Sequence, residues 1–261
     1  MMALKSIFLF APAETAVVGK GPMGFALSLA KAHSAQLTIF TVALDVTTPG
    51  RSTDAQSVAD QLCSAADAAG VACTLITEHS HALGVHEVVA EHARLHDLSI
   101  IGSQKSGLLN ERMVAEYLMF ESGRPVIVVP EAYDLPYQHE AFGVAWDNTP
   151  AAARALGDAI TLLEPDAMHF LTIVGEKQMP TDLDSNALVT VTGRRGVQAD
   201  HANAALFGRS IASALQDESR AAGASMLVMG AFGHSRWRSF VLGSATADIL
   251  DRTEMPVLLS H

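Results

Sequence analysis

Residues 225–260 read SMLVMGAFGHSRWRSFVLGSATADILDRTEMPVLLS. The apolar run at 226–229 has the length of a buried strand and feeds directly into Gly230, with Gly233 close behind. Gly243 and Ser244 then open a segment in which Leu242, Ala245 and Ile249 fall at i, i+3 and i+7, one face of a helix. The order is strand, glycine loop, helix. A helix N-terminus carries unpaired N–H groups and a partial positive charge that an anion satisfies. Gly230 and Gly233 let the backbone turn tightly and approach a ligand without a Cβ in the way, and Ser244 adds a hydroxyl. The chemistry such a unit suits is phosphate binding. The same glycines also suit plain turns and close helix packing. The spacing is neither that of a Walker A loop, GxxxxGK[ST], nor that of a dinucleotide GxGxxG.

Composition bounds the rest. A chain of 261 residues suits two domains of ordinary size. With 49% hydrophobic and 17% charged residues it can bury full cores. The formal net charge of -11 argues against a nucleic-acid partner, which is held by clustered Lys and Arg. The first apolar run stops at Pro12 and Glu14, too short for a span and without the layout of a signal peptide. No membrane partner is expected. Cys63 and Cys73 fall on a predicted helix and the next strand and read as reduced core thiols, which points to the cytoplasm.

In the first half, strand patterns at 4–10, 37–42, 73–76, 98–101 and 126–129 alternate with four helices. These are marked by Phe25 and Leu29, by 54–69, by Val85, Val88, Val89 and His92, and by a face shared by Met113, Tyr117 and Phe120. Residues 130–138, with two prolines, read as a linker. Strands are then predicted at 142–146, 169–174, 197–202, 226–229 and 257–259. The helices between them are marked by Leu156, Ile160 and Leu163, by 187–195, by 208–221 and by the segment after Gly243. Regular alternation predicts an α/β fold: two tandem doubly wound domains, at 1–131 and 139–261, each a five-stranded parallel sheet with helices on both faces. The halves also correspond in sequence: DLSIIGSQKSG around Gly102 matches SMLVMGAFGHS around Gly230, and RPVIVVP matches MPVLLS.

Glycine, two residues, glycine, nine residues, glycine and then Ser or Thr resembles the nucleotide signature of the universal stress protein family. It reads here as Gly230, Gly233, Gly243, Ser244. The resemblance spans nearly the whole chain and implies the HUP-like fold of that family. It further implies that Asp147, after the first strand of the second domain, contacts the adenosine part of a nucleotide. By the same resemblance Ile173 lines the adenine pocket, Met229 lies beside the loop, and Gly230, Gly233, Gly243, Ser244 and Ala245 hold the phosphates. Asp147, Ile173 and Gly230 all follow strand ends, at the edge where open parallel sheets bind ligands. The first domain lacks the pattern: Lys105 replaces the second glycine, Ala115 and Glu116 align with Gly243 and Ser244, and Phe10-Ala11-Pro12-Ala13 offers no acid. It reads as a degenerate partner.

Other residues invite chemistry. His79, His81, His86, His92 and His96 crowd one stretch, but without cysteines or a familiar zinc spacing, so no metal site is expected. Arg236, Trp237 and Arg238 lie in the glycine loop, where they suit either terminal phosphates or a protein interface. There is no GxSxG and no HExxH. His234 and Asp147 could assist attack of water on a phosphate, yet no acidic metal site stands beside the loop. The resemblance therefore implies a cytoplasmic, stress-responsive switch that binds ATP or a related adenine nucleotide, with Mg²⁺ an admissible companion. It also implies pairing of the two domains within the chain and leaves room for a homodimer. The alternatives are a slow ATP-hydrolysing enzyme and a nucleotide-free scaffold or small-ligand carrier.

Overall fold

The computed structural model describes residues 4–13, 17–44, 55–80, 84–104, 110–174, 185–231 and 244–261. The chain divides into two compact units, Met2–Tyr137 and Gln138–His261.

The first unit runs β1 (Ser6–Phe10), α1 (Gly21–His33), β2 (Gln36–Leu44), α2 (Ala55–Ala69), β3 (Cys73–Ser80), α3 (Val85–Ala93), β4 (Leu98–Gly102), α4 (Glu111–Glu121) and β5 (Val126–Val129). Its strands lie in the order β3-β2-β1-β4-β5, and every pairing is parallel. Every residue of β4 and β5 is buried, β5 as a continuous apolar run and β4 apolar but for Ser99, as expected of parallel strands covered on both faces. Phe8, Phe10 and Phe40 meet across β1 and β2, with ring centroids 5.5 and 6.4 Å apart. Helices α1 and α2 pack together, as do α3 and α4. Right-handed crossovers put these pairs on opposite faces, because the chain reverses direction across the sheet after β3.

The second unit repeats the plan with β6 (Ala141–Ala145), α5 (Pro150–Leu163), β7 (Ala167–Val174), α6 (Ser185–Gly193), β8 (Gln198–Ala205), α7 (Ile211–Ala221), β9 (Met226–Gly230), α8 (Ser244–Asp251) and β10 (Val257–Ser260). The order is β10-β9-β6-β7-β8, again parallel throughout. Three helix starts are capped by side chains where the sequence offers an acceptor: Asn110 for α4, Thr149 ahead of Pro150 for α5, and Ser210 for α7.

Four local readings are corrected. Met113 and Phe120 are 61% and 48% exposed, and α4 buries Val114, Ala115, Leu118 and Met119 instead. On α5 the buried face is small, built from Ala151, Ala152, Ala155 and Ala159 with Leu163, while Leu156 and Ile160 stand half-exposed beside it. The third strand of the second unit extends to Ala205, three residues past the polar boundary expected from sequence. It lies at the sheet edge, so its outward face needs no apolar side chains. The stretch read as a linker belongs to the first unit as far as Tyr137, whose ring meets Phe25 edge-on at 5.9 Å and whose N–H donates to Ser28 Oγ at 2.8 Å.

Cys63 and Cys73 are free, half-buried thiols on α2 and at the start of β3. Burial, then the neighbouring Cys63, push the Cys73 thiol up to about 12, which keeps it protonated. No helix among the described residues is long and apolar enough to cross a membrane.

Candidate functional site

In the second unit the chain steps from β6 to β7 and β8 on one side, then returns through α7 to β9 on the other. The strand order therefore reverses beside β6, and the carboxyl ends of β6, β7 and β9 frame the crevice where ligands settle in open parallel sheets. Register sets the heights: Ala145 pairs with both Leu171 and Met229, and Asp147 and Ile173 each follow that level by two residues along their own chains, Asp147 beyond the end of its strand and Ile173 still within β7.

Asp147 is built into a turn. Its Oδ1 accepts the Thr149 N–H at 3.1 Å and the Thr149 hydroxyl at 2.7 Å. Thr149 Oγ1 accepts in turn from Ala152 N at 3.2 Å, capping α5. Asn148 takes the left-handed conformation between them, with φ 59°. The exposed carboxylate is thus oriented by the same threonine that starts the helix. Upstream, the Trp146 N–H donates to Leu171 O at 2.9 Å and the Thr172 hydroxyl to Trp146 O at 3.1 Å, tying the ends of β6 and β7 together. The Trp146 ring stands edge-on to Phe170, centroids 6.1 Å apart.

Gly230 closes β9 against the first turn of α5. A Cβ there would collide with the Ala152 N–H nitrogen and with the Ala151 backbone, including its carbonyl oxygen at 2.9 Å. Glycine is required at this point by helix packing alone, whatever ligand the loop takes. The next residue is pinned too: Ala231 N donates to Ser260 O at 2.7 Å, and the His261 ring meets Ala231 O at 3.1 Å. Met229 is buried at 7% exposure, Ile173 is half-buried on β7 opposite Ala204, and Ala245 is half-buried at the second position of α8. Helix α8 is fixed by Asp248, whose Oδ2 accepts the Ala212 N–H of α7 at 2.9 Å. Gly233, Gly243, His234, Arg236, Trp237 and Arg238 lie outside the described residues, as does the side chain of Ser244.

Thr149, which starts α5, was not singled out from the sequence. Its second task, orienting Asp147, was written in the spacing Asp-x-Thr-Pro, an Asx turn running into a capped helix.

Among the described residues, the first unit lacks these features at the matching edge. β1 runs into Ala11, Pro12 and Ala13, with Ala11 and Ala13 buried. The expected alignment of Ala115 and Glu116 with Gly243 and Ser244 does not survive: α4 starts at Glu111, so Ala115 is buried inside it and Glu116 pairs with Arg112 at 2.9 Å. The loop before α4 is shorter than the one before α8, which shifts the helix start along the sequence. Lys105 lies outside the described residues.

The histidines whose side chains are described serve packing. His86 stacks edge-on against Tyr117 at 4.6 Å and His92 against Phe40 at 5.0 Å. His96 bridges Thr38 Oγ1 and His92 O at 2.9 Å each, and burial lowers its pKa. His79 and His81 are outside the described side chains.

Residues 140–261 match the family model described as the universal stress protein family. Among solved structures, a universal stress protein from Archaeoglobus fulgidus DSM 4304 is 14% identical and superposes with TM-score 0.70 over 97% of this chain and 95% of its own. A functionally unknown protein from Pseudomonas aeruginosa PAO1, also 14% identical, superposes with TM-score 0.64 over 98% of this chain and 92% of its own. At this identity the superpositions establish a shared fold across both units. No curated protein matches the chain. The match to the universal stress protein family thus covers residues 140–261, which is the second unit apart from its first two residues.

Proposed function

We propose that the second unit binds an adenine nucleotide, ATP foremost, across the carboxyl ends of β6, β7 and β9, and that the protein acts as a nucleotide-dependent switch in a cytoplasmic stress response. The observation that carries this reading is that Asp147 and Ile173 each follow the paired residues Ala145 and Leu171 by two positions at a topological switch point, next to a strand that ends in Gly230 and leads to α8. Asp147 has Oδ1 committed to Thr149, so in this reading Oδ2 serves the ribose hydroxyls or base. The half-buried Ile173 offers apolar surface to adenine. Gly230, Gly233, Gly243, Ser244 and Ala245 supply backbone N–H groups and a hydroxyl to the phosphates, with Met229 buried behind them. Mg²⁺ enters as a companion of the phosphates. The first unit, which has Pro12 rather than an acid two residues past the end of β1, takes no nucleotide in this reading.

The test is mass spectrometry of whatever co-purifies with the protein, followed by calorimetric titration with ATP, ADP and AMP. Wild type is expected to bind in the micromolar range, since several charge-assisted bonds of roughly 1.5–3 kcal/mol each remain after ordering costs. Asp147→Asn keeps the acceptor that holds Thr149 but removes the charge, and should weaken binding roughly 10-fold or more. Gly243→Val should abolish it within the titration range. Binding that ignores both substitutions would sink the proposed site. Phosphate release that disappears in both variants would replace the switch with a slow hydrolase.

A further inference from the structure

At the end of β4, the position that corresponds to the Gly230 end of β9, the first unit fills the space from within. A Cβ on Gly102 would collide with Glu111 Oε2 and with Glu131 Oε1 at once. Two carboxyl groups therefore reach one small volume, the first from the opening residue of α4 and the second from the turn after β5. Glu111 is 2% exposed and accepts the Gln104 N–H at 2.8 Å. Its seat at a helix N-terminus is the place where a negative charge is stabilised. Glu131 Oε1 is shielded from solvent and receives no donor among the described residues. Two ionised carboxylates cannot rest side by side in such a place. One shared proton, carried by Glu131 and given to the Glu111 carboxylate as a hydrogen bond, satisfies both.

We propose that Glu111 and Glu131 form a proton-sharing carboxyl pair that latches the segment after β5 onto the end of β4, and that loss of the shared proton releases this segment. The segment has a clear route to pass the change on. Glu131 O lies against the start of α1, where a Cβ on Gly21 would meet it at 2.9 Å. Gly21 N donates to Tyr133 O at 2.7 Å, and Tyr133 and Tyr137 both pack edge-on against Phe25 of α1. Repulsion at Glu131 thus strains the seat of α1 and the last residues of the first unit.

The charge environment fits a midpoint near neutrality. Burial, then the neighbouring Glu111, push Glu131 up to about 7, against the Ser103 N–H that holds it down. Of the other groups on the surrounding elements, Arg112 is engaged by Glu116 on α4, and Asp134 acts on Tyr133. Lys20 precedes α1 and does not act on the Glu131 carboxyl, so among the described residues Glu111 is the charge that matters to it.

Because the folded pKa lies above the ordinary value of 4.5, the stability contributed by the pair is full below that value and is lost as pH rises to about 7. Infrared difference spectra of the full-length protein should show a protonated carboxylic acid carbonyl that survives past about pH 6 and vanishes near pH 7. In Glu131→Gln the band should be absent. In Glu111→Gln, where no carboxylate faces Glu131, it should vanish at lower pH. Melting temperatures give an independent readout: Glu131→Gln, permanently neutral and able to donate to Glu111, should melt higher than wild type at about pH 8.5, the gain exceeding that at about pH 5 by roughly 3 °C or more. Hydrogen-exchange protection factors within 130–137, which remove the intrinsic rise of exchange with pH, should fall across the same midpoint in wild type and stay level in Glu131→Gln. A wild-type protein without the band at pH 6, or a Glu131→Gln melting change equal at both pH values, overturns the proposal. Should Glu131→Gln fail to fold, the midpoint shift in Glu111→Gln decides alone.

Discussion

Thr149 has two partners that compete for no atom. Its hydroxyl hydrogen goes to Asp147 and its oxygen lone pair to Ala152 N, so one side chain both orients the candidate ligand residue and starts α5. Thr149→Ala removes the cap, and a loss of about 1 kcal/mol in denaturant unfolding is expected. Thr149→Ser keeps both bonds and should recover most of it. Gly230 makes a harsher demand. The atoms a new Cβ would strike are backbone atoms of α5, which cannot swing aside as a side chain would. Gly230→Ala should therefore destabilise the second unit by about 1–3 kcal/mol, read as a lower urea midpoint. An unchanged midpoint would mean that the end of β9 and the start of α5 separate freely. Stability has to be measured beside nucleotide affinity at this position, because glycine there answers to packing before it answers to any phosphate.

At the scale of elements, the strands were legible because a parallel sheet covered on both faces favours apolar runs: residues 126–129, 226–229 and 257–259 are unbroken, and 98–101 is broken only by Ser99. The face of α4 was not legible. Met113, Tyr117 and Phe120 share helical spacing, but so do Val114, Leu118 and the buried Glu111, and periodicity does not say which stripe meets the sheet. Strand starts are held by local devices that no pattern announces. Asp97, ahead of β4, accepts the N–H groups of Lys5 and Ser6 at 2.9 Å and the Ser6 hydroxyl at 3.1 Å, sewing the start of β1 to that of β4. Burial by itself would raise its pKa, but these donors outweigh it and the carboxyl lies below its ordinary 3.8. A lowered folded pKa gives stability that is present above the ordinary value and lost as pH falls through the folded one. Melting curves on the acid limb should accordingly fall more steeply for wild type than for Asp97→Asn. Parallel slopes would show that the clamp carries no net charge stabilisation.

For the whole molecule, the chain divides into two compact units between Tyr137 and Gln138. The segment 130–137 shows what the division rests on. It carries prolines and polar residues like a linker, yet Tyr137 is 8% exposed and packs on Phe25 and His33. Tyr137→Ala should cost the first unit about 3 kcal/mol by the cavity it leaves, while the ATP-induced rise in melting temperature assigned to the second unit stays intact. Loss of both effects together would mean that the units do not respond independently. Sequence by itself determined the alternation of strands and helices, the duplication, the glycine spacing and the acid after β6, because each is a local pattern set by backbone period and residue type. Tertiary structure decided that β6 and β7 pair Ala145 with Leu171 just ahead of Asp147 and Ile173, that Gly230 is a packing glycine, and that Glu111 and Glu131 share one space beneath Gly102. Those facts depend on strand register and on which helix face meets the sheet, and both are chosen by contacts between residues far apart in the chain.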